Sequence, residues 1–86
     1  GTWESLYALG KKDSSGNLVN AGKKMLSDVK NSIVVSSAPD KLMVIKGLEN
    51  FIVINTPDVL LVCPRDEKQI KAITADLAIG NLGEFL

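Results

Sequence analysis

Eighty-six residues suffice for one domain with one hydrophobic core, and a chain that is 45% hydrophobic and 23% charged is too apolar to stay disordered. Ten basic side chains balance ten acidic ones, so no long-range positive field draws in a nucleic acid or an anionic membrane, and neither is expected as a partner. With no histidine and one cysteine, imidazole acid–base catalysis is excluded, the ligands favoured by zinc are nearly missing, and no metal site is expected.

In chain order, Thr2 is a candidate N-cap, Trp3, Leu6, Tyr7 and Leu9 fall on one helical face, and Gly10 follows as a stop, which predicts a helix over 3–9. Two turns do not stand alone in water. Trp3, Leu6 and Tyr7 therefore need cover, either from polypeptide upstream or, failing that, from a second copy in a weak homodimer. Residues 11–24 are polar, and Asp13-Ser14-Ser15-Gly16-Asn17 collects turn formers, so this stretch reads as a surface loop with at most a short hairpin. It lacks the glycine pattern and lysine of a phosphate-binding loop.

Four short apolar runs follow, each entered by a polar residue: Asn31 to Val35, Lys41 to Ile45, Asn50 to Ile54 and Asp58 to Val62. They are rich in β-branched residues, too short for helices and punctuated by Pro39-Asp40, Gly47 and Pro57-Asp58, and so predict strands. Their near-continuous hydrophobicity predicts that most of their faces are covered. Cys63 closes the last run and packs as a small hydrophobe. Alternate runs lie about eighteen residues apart, a spacing that suits both a β-solenoid and an antiparallel meander. The solenoid predicts parallel stacking of Ile33 on Phe51.

Beyond Pro64, Asp66-Glu67-Lys68-Gln69 has the form of a capping box, with Gln69 reaching back. The helix it opens carries Ile70, Ile73 and Leu77 on one core-facing stripe and stops at Gly80. Asp28, Asp40, Asp58 and Asp66 are the candidate cation ligands, but Asp40 and Asp58 begin or precede strands and Asp66 suits a helix cap, positions that favour backbone hydrogen bonds, so no magnesium role is expected of any of them. No serine sits in a nucleophile elbow. The longest apolar runs are far below the ~20 residues of a membrane helix, and residues 1–20 lack a signal-peptide layout, so a cytoplasmic protein is expected.

Two stretches carry a family resemblance: Gly1-Thr2-Trp3-Glu4-Ser5-Leu6-Tyr7, and Lys30-Asn31-Ser32 continuing to Asn50-Phe51-Ile52-Val53-Ile54-Asn55-Thr56-Pro57-Asp58-Val59-Leu60-Leu61-Val62, with Pro64-Arg65-Asp66 after them. In this order they resemble mannose-1-phosphate guanylyltransferases. That resemblance breaks the tie toward a mainly β fold, a short left-handed β-helix-like solenoid with a short N-terminal and a C-terminal helix. It implies that residues 1–10 end a nucleotidyltransferase domain and that 11–86 form the C-terminal β-helix-like domain. It also implies that the whole protein makes GDP-mannose and pyrophosphate from GTP and mannose 1-phosphate with magnesium, and that its own catalytic domain is this domain's partner.

Gly1, Thr2 and Trp3 would then lie nearest the active site without being catalytic, and the residues present would be inactive alone, with no cofactor of their own. The glycine-rich segment and signature lysine of such enzymes have no counterpart here. The chain resembles the shorter members that lack a second, cupin-type isomerase domain. The alternatives are a nucleotidyltransferase of other nucleotide or sugar specificity, and a free-standing β-rich interaction module, against which a start inside a tryptophan-bearing helix argues.

Overall fold

The computed structural model describes residues 3–80. Its elements run α1 (Trp3–Leu9), β1 (Leu18–Asn20), β2 (Lys24–Lys30), β3 (Ile33–Ser36), β4 (Met43–Glu49), β5 (Phe51–Asn55), β6 (Leu60–Pro64) and α2 (Glu67–Ile79). The chain alternates between two sheets. One holds β1-β3-β5-β6, with β1, β3 and β5 parallel and β6 antiparallel; the other holds β2 and β4 in parallel. This is the winding expected of coils, and the parallel pairing excludes a meander.

The register corrects the expected period. Ile33 opposes Ile52, not Phe51, so the repeat is nineteen residues, and β2 on β4 shows the same offset, with Lys24 opposite Met43. The first coil is four residues shorter, Leu18 opposing Ile33, because only 21–23 separate β1 from β2 whereas 37–42 separate β3 from β4, and β1 is itself one residue shorter than β3. Phe51 lies at the coil corner, where its N–H donates to Ser32 Oγ (3.1 Å).

Each coil turns the same corner with the same backbone. Gly16 (φ 79°), Asn31 (φ 50°) and Asn50 (φ 57°) are all left-handed and stand two residues before Leu18, Ile33 and Ile52, while Asp28 (φ 53°) and Gly47 (φ 75°) repeat a second left-handed position in β2 and β4. Glycine, asparagine and aspartate are the residues that reach this region at least cost. The corners stack through Asn31 N–H to Ser15 O (3.1 Å), Asn50 N–H to Lys30 O (3.0 Å) and Arg65 N–H to Asn50 O (2.8 Å). Inside them runs a polar ladder: Ser32 N–H donates to Asn17 Oδ1 (2.9 Å), and Asn17 Nδ2 donates to Val29 O (2.6 Å). Asn17, Ser32 and Asn55 are buried and all hydrogen-bonded, as buried polar groups must be.

Strand alternation gives the four-stranded sheet two apolar faces. Val19, Val34 and Val53 meet Val29 and Met43 of the two-stranded sheet. Leu18, Ile33, Ile52 and Cys63 meet Trp3 and Tyr7 of α1 and Ile70 and Ile73 of α2. The molecule is thus layered: two strands, four strands, two helices. Double cover explains why β3 and β5 read as unbroken apolar runs. The expectation that most strand faces are covered fails for β4 and β6. Val44 faces solvent on the outer sheet, and Leu60 and Val62 are exposed, Val62 even though it opposes the buried Val53, because the two-stranded sheet ends at β4.

The loop reading of 11–24 needs a further correction. Leu18–Asn20 pairs in parallel with β3, so the segment opens the first coil and forms no hairpin. At the other end, α2 turns Ile70, Ile73 and Leu77 inward while every other residue of the helix is exposed. Its cap is simpler than a capping box: Asp66 Oδ1 accepts Lys68 N–H (3.0 Å) and the Asp66 N–H goes to Pro64 O (2.9 Å). Gly80 ends the helix at φ −82°, without the left-handed turn that usually selects glycine there.

Candidate functional site

Of the residues expected near chemistry, Gly1 and Thr2 lie outside the described residues, as does the Thr2 cap. Trp3 opens α1, half-buried against the layer of Ile33, Ile52 and Cys63. Only part of the expected helical face goes inward. Trp3 and Tyr7 pack on the sheet, whereas Leu6 is 49% and Leu9 89% exposed. Those two leucines and Trp3 form one wall of an apolar groove of about 700 Å³, and Glu67, Ile70 and Lys71 of α2 form the other.

The opposite flank of α1 is held by Arg65, which sits between β6 and α2. Its guanidinium lies 3.8 Å from the centre of the Tyr7 ring, a cation–π contact. Arg65 Nε also stands 3.2 Å from Glu4 Oε1, an ion-pair distance without hydrogen-bond alignment. Arg65 Nε and Nη1 are buried and make no hydrogen bond among the described residues. Lys12 lies 4.9 Å from the ring centre and donates to Gly10 O (2.8 Å), closing the carboxyl end of α1, while the Tyr7 hydroxyl donates to Gly16 O. Sequence reasoning missed Arg65 as a structural residue; its only signal was its place in Pro64-Arg65-Asp66, between a strand and a helix cap.

The loop before β1 binds itself. Asp13 Oδ1 accepts the N–H groups of Ser15 and Asn17 (both 2.9 Å), and Oδ2 accepts Asn17 Nδ2 (3.2 Å). With Gly16 N–H on Asp13 O (3.1 Å), three successive amides of this turn, 15 to 17, are already taken by Asp13. These donors, the Asn17 backbone N–H foremost, hold the Asp13 carboxyl below its ordinary value. Asp28 occupies its left-handed position, Asp58 donates its N–H to Thr56 Oγ1 (3.3 Å), and Asp66 caps α2. Among the described residues no three His, Cys, Asp or Glu side chains come together in a group that could hold a metal ion. Cys63 is 3% exposed and burial pushes its thiol pKa up, which leaves it a neutral core residue. No helix among the described residues is long and apolar enough to cross a membrane.

Parallel strands stacked in successive coils, with repeated left-handed corners, define a β-helix domain. Residues 22–77 match the family described as the MannoseP isomerase/GMP-like beta-helix domain, and the chain belongs to that family. It is similar to a mannose-1-phosphate guanylyltransferase of Escherichia coli, 36% identical over 98% of this chain and 18% of the relative. It is likewise similar to the alginate biosynthesis protein AlgA of Pseudomonas syringae pv. tomato, 32% identical over 90% of this chain and 16% of the relative. A third relative is the xanthan biosynthesis protein XanB of Xanthomonas campestris pv. campestris, 32% identical over 98% of this chain and 17% of the relative. The chain thus spans less than a fifth of the length of these relatives. No solved structure matches it.

Proposed function

We propose that this chain is the C-terminal β-helix domain of an enzyme that joins GTP and mannose 1-phosphate to give GDP-mannose and pyrophosphate. The observation that carries the reading is the match of 98% of the chain to a relative named mannose-1-phosphate guanylyltransferase, together with a β-helix family match over 22–77. In such a reaction the mannose phosphate oxygen attacks the α-phosphorus of GTP and pyrophosphate leaves. Its developing charge calls for magnesium and positioned cations, both supplied by a catalytic domain upstream.

The role of the residues described here is structural. In this reading residues 1–10 are the last helix of the nucleotidyltransferase domain, 11–86 are the β-helix domain wound left-handed, and Gly1, Thr2 and Trp3 stand at the edge of the active site. The enzyme works in the cytoplasm, where its charged substrates are retained. Its own catalytic domain is the partner that α1 serves. The test is to supply the full-length protein with mannose 1-phosphate, magnesium and each nucleoside triphosphate in turn and to separate the products by chromatography. GDP-mannose from GTP is expected; faster turnover of another nucleotide, or none of GTP, overturns the reading.

A further inference from the structure

We infer that the groove between α1 and α2 seats an apolar segment of the polypeptide upstream of Trp3, which docks the catalytic domain on this face. The inference rests on the part of the proposed function that places a catalytic domain before this chain. It starts from exposure. Leu9 is 89% and Leu6 49% exposed on a helix of seven residues, and with Trp3 and Ile70 they line a single groove of about 700 Å³. That volume is in the range of a ligand cavity, yet apolar Trp3, Leu6, Leu9 and Ile70 dominate its lining, with Ser5, Glu67 and Lys71 its polar members. Such a groove takes several side chains of a protein segment rather than a polar metabolite.

The occupant follows from the chain's path and length. The polypeptide enters α1 at Trp3, itself a wall of the groove, so whatever precedes Trp3 leaves from the groove's rim. More than four-fifths of the relatives' length lies outside the matched stretch. Chain that starts at the rim has a far higher effective concentration there than any free partner.

Photo-crosslinking in the full-length protein tests this. Leu9 is so exposed that replacing it leaves the sheet layers intact, so Leu9→benzoyl-phenylalanine is introduced, a mixture of isotopically heavy and light protein is irradiated, and crosslinked peptides are mapped by mass spectrometry. The expected result is that most crosslinks join residue 9 to residues upstream of Gly1 within one chain. Heavy–light crosslinks would assign the groove to a second copy and overturn the inference, and so would irradiation that yields solvent adducts alone. GDP-mannose synthesis is measured on the same preparation. Synthesis without intramolecular crosslinks sinks the docking and spares the proposed function; crosslinks without synthesis do the reverse.

Discussion

Gly16 and Gly47 share a left-handed backbone, at φ 79° and 75°, but not their surroundings, and this difference makes the stacked corner measurable. A Cβ on Gly16 would stand 2.4 Å from Asn31 Oδ1, the equivalent corner residue of the next coil, whereas a Cβ on Gly47 would have nothing within 4 Å. Gly47→Ala should therefore show the conformational cost alone, about 1 kcal/mol. Gly16→Ala should show that cost plus the displacement of Asn31, about 1 kcal/mol more, since an exposed side chain can move at modest expense. Equilibrium urea unfolding separates the two: at a slope of ~1 kcal/mol per molar for a domain this small, midpoints fall by roughly 1 M and 2 M. Adding Asn31→Gly to Gly16→Ala should recover the second increment, because glycine keeps the left-handed corner and removes the obstructing amide. Equal losses for the two alanine variants, or no recovery in the double variant, would refute the stacking of corners.

Other substitutions probe the layers. Ile52→Ala, fully buried between Ile33 and Cys63, should cost about 2–5 kcal/mol, enough to leave so small a domain largely unfolded by circular dichroism. Because Asp13 has a folded pKa below its unfolded one, its contribution to stability is complete above the ordinary carboxylate range and is lost as pH falls through the folded value. The urea midpoint should decline on acidification through about pH 4, and Asp13→Asn should flatten that decline while lowering stability at neutral pH. Asp66→Ala should cost about 1 kcal/mol through loss of the α2 cap. The Cys63 thiol should react with a thiol reagent only as fast as the domain unfolds, and a fast phase in the native state would contradict its place in the core.

The sequence showed most clearly those elements whose local signals agree with their cover. Ile33 to Val35 and Phe51 to Ile54 are buried on both faces, so composition alone marks them as strands. Trp3 to Leu9 and the Asp66-capped helix carry their own periodicity and stops. Strand β2 was illegible because Lys24-Met25-Leu26-Ser27-Asp28-Val29-Lys30 turns one face to solvent and breaks its alternation at left-handed Asp28. Strand β1 is three residues that become a strand only by lying on β3. The apolar run begins at Phe51 and so gives a period one residue short, whereas the sheet aligns on Ile52, the residue after the corner. Arg65 gave no warning, since its stacking on Tyr7 joins residues from opposite ends of the chain. The expectation that α1 buries a whole apolar face was half right: Trp3 and Tyr7 are covered by the domain's own sheet, and the groove passes to Leu6 and Leu9.

The central claim is a division of labour: a β-helix domain that holds no reacting group, attached to an enzyme that does the chemistry. It is tested most directly by following pyrophosphate release from GTP and mannose 1-phosphate with magnesium, at equal concentrations of the full-length protein and of residues 1–86 alone. The account predicts release by the full-length protein and none above background by residues 1–86 at any concentration. Release that scales with the amount of residues 1–86 would contradict it, because the reacting groups would then have to lie among side chains that here cap helices, close turns and fill the core.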